Sequence, residues 1–144
     1  MNDGFIDMQY ITQVLHLAAE YGKLDILKHF ADFEKYPDEN CAKYAIENDH
    51  FEIVQWMVDN RMYLNTDCAN TAAMMDDIES LDLLATIDVY PDYEGYIKAA
   101  CMNRVKSLDW LYNHNVEMPS DKSAFSAAID TGSTDSLIWL HEHK

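Results

Sequence analysis

Leu15-His16-Leu17-Ala18-Ala19-Glu20-Tyr21-Gly22-Lys23-Leu24-Asp25-Ile26-Leu27 is the stretch whose reading decides the fold. Apolar and small residues recur three and four positions apart across residues 14–19, which gives a helix one stripe to bury. The small pair Ala18-Ala19 lets a neighbouring helix backbone approach closely. Gly22 interrupts the pattern, and a second helical spacing begins at Leu24 and Leu27. The stretch therefore predicts two short helices joined by a turn.

The same pattern returns along the chain. Anchored on Ala18, Ala45, Ala72, Ala99 and Ala128, it repeats at spacings of 27, 27, 27 and 29 residues. Counted from each alanine, position +4 holds Gly22, Asp49, Asp76, Asn103 and Gly132, residue types that tolerate turn or left-handed backbone. Position +6 holds Leu24, Phe51, Ile78, Val105 and Thr134; position +9 holds Leu27, Val54, Leu81, Leu108 and Leu137. Position +12 holds Phe30, Met57, Leu84, Leu111 and Leu140, completing a spacing of three on the second helix. All three tryptophans, Trp56, Trp110 and Trp139, share position +11. Asp25, Glu52, Glu79 and Asp135 at +7 fall in a first helical turn, where the helix dipole favours negative charge; Lys106 departs from this. Pro37, Pro91 and Pro119 precede their anchors, each followed by a turn or capping residue, Asp38, Asp92 and Ser120. No long period-2 alternation or hairpin signal suggests strands.

The first unit resembles the core of an ankyrin repeat, and residues 99–111 and 128–140 look like degenerate versions of it. The resemblance covers about residues 12–144. It implies an all-α, ankyrin-like α-solenoid of about five helix-turn-helix repeats. The family period is about 33 residues, so a period of 27 implies that the projecting β-fingers are shortened or absent. A single repeat domain over residues 1–144 follows, with 1–11 as an N-terminal cap carrying Phe5, Ile6, Met8, Tyr10 and Ile11. In such stacks each pair depends on its neighbours for burial. In the family, the residue type at His16 holds a turn by hydrogen bonding.

Composition narrows the function. Ten Lys and Arg against 26 Asp and Glu leave a net charge of −16. That opposes direct binding to nucleic acid or to an anionic membrane and favours a basic partner. Cys41, Cys68 and Cys101 form neither a disulfide framework nor a metal spacing, which suits a reducing, cytoplasmic setting. The N-terminus lacks the marks of a signal peptide. No nucleophile elbow, phosphate loop or zinc spacing occurs, and His141 and His143 at i, i+2 point apart. No enzyme, metal or cofactor is expected.

The ankyrin resemblance implies that the two residues after each small pair face a concave groove. Those are Glu20 and Tyr21, Glu47 and Asn48, Met74 and Met75, Cys101 and Met102, and Asp130 and Thr131. They vary from unit to unit while the core columns repeat. Soft apolar residues hold the middle and polar ones the flanks, as in protein-binding surfaces. The expectation is an adaptor or inhibitor gripping a protein partner there. Two alternatives stay open. The methionines could fill gaps between shortened loops, and the acidity could make the chain a nucleic-acid mimic blocking a basic enzyme. The state expected is a monomer, or a weak homodimer through the C-terminal helix.

Overall fold

The computed structural model describes residues 4–144, with side chains from residue 8 onward. Among the described residues there are ten helices and no strand. They are α1 (Gly4–Glu20), α2 (Leu24–Ala31), α3 (Glu39–Glu47), α4 (Phe51–Asp59), α5 (Thr66–Met74), α6 (Ile78–Ala85), α7 (Tyr93–Cys101), α8 (Val105–Asn113), α9 (Ser123–Thr131) and α10 (Thr134–His143). The five +6 residues are the first residues of the even-numbered helices. The turn before them needs left-handed backbone, and all five +4 residues supply it: φ is 72° at Gly22, 63° at Asp49, 58° at Asp76, 60° at Asn103 and 68° at Gly132.

The chain divides into two compact units, Met1–Leu64 and Asn65–Lys144. In the N-terminal unit α1 packs on α2 and α3, and α3 packs on α4. Leu15, Ala18, Ala19, Leu27, Cys41, Ala42, Ala45, Ile53, Val54 and Met57 are buried there. In the C-terminal unit α5 packs on α6 and α7, α7 on α8 and α9, and α9 on α10, while α8 lies against both α6 and α10. Its buried side chains include the alanine pairs at 72–73 and 99–100, with Leu81, Leu84, Leu108, Leu111 and Leu140. Within each unit the odd-numbered helices pack on one another, and their alanines at the anchor positions are buried. Tyr96 is fully buried, and its hydroxyl donates to the Val116 carbonyl at 2.9 Å.

Helix starts are set by short polar side chains. Asp38, Asn65 and Asp92 precede α3, α5 and α7, and each accepts from a backbone N–H of the first turn, of Cys41, Cys68 and Glu94 respectively. Each removes one of the orphan donors of a helix start. Before α9 the acceptor is Asp121, bonded to the Ser123 N–H and hydroxyl, and not the expected Ser120. Within the span expected to form an N-terminal cap, residues 4–11 are the opening turns of α1. Met8 and Tyr10 are exposed; the side chains of Phe5 and Ile6 lie outside the described residues.

Candidate functional site

The residues expected to face a groove sit where the odd-numbered helices end. In the N-terminal unit Glu20 closes α1 and Tyr21 follows it; Glu47 closes α3 and Asn48 caps it. All four are exposed. The His50 Nε2 donates to the Glu20 carbonyl at 3.1 Å, holding the two helix ends side by side. In the C-terminal unit Met74 closes α5 and Cys101 closes α7, with Met75 and Met102 as their caps. Met74, Met75 and Cys101 are half-buried, and Met102 is 44% exposed. Asp130 and Thr131 end α9 and are exposed. The Thr131 hydroxyl bonds the Ala127 carbonyl and the Ser133 hydroxyl, so it serves the turn.

A repeated clamp holds these ends. Arg104 Nε donates to the Met74 carbonyl, and the Ser133 hydroxyl donates to the Cys101 carbonyl, both at 3.0 Å. His50, Arg104 and Ser133 all stand at +5, and every carbonyl they meet is at +2 of the preceding pair. A second tie runs from +8 back to +4. The Ser107 N–H and hydroxyl donate to Asp76 at 2.9 Å, and the Ser136 N–H donates to Asn103 at 3.0 Å. A third joins tryptophan to acid: Trp110 Nε1 donates to Asp82, and Trp139 Nε1 to Asp109, both at 2.7 Å. Each of these two indoles also stacks on a histidine one turn later, His114 at 3.7 Å and His143 at 3.9 Å. His143 is thus bound into aromatic packing.

His16, Asp38 and Cys41 bring potential ligand atoms within 4.8 Å of one another, a grouping with the donor set of a metal site. The His16 Nε2 donates to both Asp38 oxygens at 3.0 Å. In the C-terminal unit the same two columns hold Asn70 and Asp92, bonded at 2.9 and 3.1 Å. There Gly95 stands where Cys41 does. The trio therefore matches a tie between successive pairs that is built elsewhere without a thiol. Burial would raise the Asp38 pKa, but the hydrogen bond and charge of His16, with the Cys41 N–H, outweigh it and hold the carboxyl below its ordinary 3.8. Burial, reinforced by the Asp38 charge, pushes the Cys41 thiol up to about 12. It stays protonated and unreactive near neutrality.

A cleft of about 880 Å³ lies elsewhere in the N-terminal unit and was not anticipated from the sequence. Lys28, Tyr36, Trp56, Arg61 and Tyr63 line it, with Asp32. Its one legible sign was Lys28 at +10, where later pairs carry Asp82 and Asp109. Among the described residues no helix is long and apolar enough to cross a membrane. No protein-family model matches the chain, and no curated protein is significantly similar to it.

Proposed function

We propose that the chain is a non-enzymatic protein-interaction module, an adaptor or inhibitor built as an ankyrin-like stack of helix pairs without β-fingers. The observation that carries this reading is the contrast at the ends of the odd-numbered helices. The backbone carbonyls of Glu20, Met74 and Cys101 are clamped from the same column, while the side chains at these ends differ and none is fully buried. In the C-terminal unit they form an apolar set, Met74, Met75, Cys101 and Met102. Unbranched methionines adapt to a partner's shape. With a net charge of −16 around them, the partner is a protein with an apolar anchor set among basic residues. Glu20, Tyr21, Glu47 and Asn48 offer a more polar set of the same kind in the N-terminal unit.

The test is capture of partners from a cell lysate, elution in a salt gradient, and identification by mass spectrometry. A partner held by the methionines remains bound through about half-molar salt, where the Debye length falls below ~8 Å. It is lost from the double variant Met74→Ala, Met102→Asp, whose melting midpoint stays within about 4 °C of the parent, a change of ~1 kcal/mol. A large loss of stability would instead make the methionines core residues. The second reading rests on charge alone: an acidic surface that competes with nucleic acid for a basic enzyme. A partner of that class, leaving at low salt whether or not the methionines are changed, would replace the first reading with the second.

A further inference from the structure

The cleft between α2 and α4 is defined by what one column lacks. Trp110 and Trp139 each donate an indole N–H to an aspartate at +10 of the preceding pair. Trp56 occupies the same column, but the +10 residue before it is Lys28. Lysine thus occupies the column that gives the other two indoles a carboxylate, and it lines the cleft beside Trp56. Among the described residues the Trp56 N–H has no protein acceptor, and neither Lys28 nor Arg61 forms an ion pair. Trp56 is also more open than Trp110 and Trp139, which are 6% and 5% exposed. Asp32 is the single carboxylate lining the cleft, set against two cations. The balance is positive in a chain that is otherwise strongly negative. Tyr36 and Tyr63, 58% and 71% exposed, add open ring surfaces.

We propose that this cleft binds a small aromatic anion, a planar ring carrying a carboxylate or a phosphate. The acid group accepts the Trp56 N–H, as Asp82 and Asp109 do for the other indoles, and meets Lys28 and Arg61. The ring lies against the tyrosine side chains. Charge-assisted hydrogen bonds of this kind are the stronger ones. A volume of about 880 Å³ falls within the roughly 300–1,000 Å³ common for small-molecule sites.

The three indole N–H groups give three nuclear magnetic resonance signals, which provide an internal control. Nitrogen-15-labelled protein is titrated with phenyl phosphate, benzoate and inorganic phosphate in parallel. Saturable movement of the Trp56 signal with an aromatic anion, while those of Trp110 and Trp139 stay fixed, supports the site. The tighter of the two aromatic probes identifies the acid group. Lys28→Asp restores the acid of the other pairs and is expected to weaken binding roughly tenfold or more. Arg61→Gly weakens it too, and it suits a backbone with φ of 56°, so it preserves the test if Lys28→Asp fails to fold. An immobile Trp56 signal, undiminished binding by both variants, or equal affinity for inorganic phosphate would overturn the proposal.

Discussion

Ser107 and Ser136 share one column, yet their hydroxyls fare differently. Ser107 gives both its N–H and its hydroxyl to Asp76. Ser136 gives its N–H to Asn103, and its buried hydroxyl has no partner. Ser107→Ala should therefore cost about 1–2 kcal/mol in urea unfolding, whereas Ser136→Ala should be neutral or stabilising, because it removes an unmet buried group. The glycines at +4 separate in a similar way. An added Cβ on Gly132 meets nothing within 4 Å, so Gly132→Ala bears only the cost of left-handed backbone, about 1–2 kcal/mol. On Gly22 the Cβ would lie 2.6 Å from the His50 ring. Gly22→Ala must displace that ring from the Glu20 carbonyl and should cost about 1 kcal/mol more. Thermal melts of the two variants check the order. These differences follow from contacts between pairs, which a residue's own type does not announce.

Helix starts carry the pH response. Asp38 caps α3 and receives His16, and its carboxyl titrates below the ordinary 3.8. Its contribution is complete above that value and disappears as pH falls through the lowered native value, since protonation then costs the folded state more than the unfolded one. Asp38→Asn keeps a capping oxygen but loses the charge facing His16. The variant should lose less stability than the parent as pH falls below the ordinary 3.8 and through the lowered native value, as read by urea midpoints. Even-numbered helix starts were legible in the sequence, because Gly, Asp and Asn at +4 announce left-handed turns. A second left-handed column, at Glu34, Arg61, Asp88 and Asn115 after the even-numbered helices, was not. Glu and Arg give no local sign of positive φ, so packing sets their backbone. The cap at Asn65 was missed because no proline precedes it. The cleft at Trp56 was missed for another reason: its signal is an acid absent from a column that recurs only twice.

The chain as a whole carries sixteen more negative charges than positive ones. Among the described residues, the ion pairs His16–Asp38 at 3.0 Å and His50–Glu52 at 3.9 Å rely on histidine. Most carboxylates of the described residues are exposed to water, and at this net charge they repel one another. Raising salt from about 0.01 M to 0.1 M shortens the Debye length from ~30 Å to ~10 Å, and the melting midpoint should rise. A midpoint indifferent to salt would show that the charges are already balanced locally. The period of the chain was readable because tryptophans and alanines recur in register, while the grouping into Met1–Leu64 and Asn65–Lys144 was not, since the same columns run through both. Within the latter, Arg104, Ser107 and Trp110 reach Met74, Asp76 and Asp82, and Ser133, Ser136 and Trp139 reach Cys101, Asn103 and Asp109. Both sets join the same columns. Excising the middle pair would hand Ser133, Ser136 and Trp139 to the acceptors that Arg104, Ser107 and Trp110 had used, and a duplicated pair would arrive with both halves of every bond. Length is thus a quantity this chain can change in whole steps, as a text loses or gains a repeated line without leaving a sentence broken.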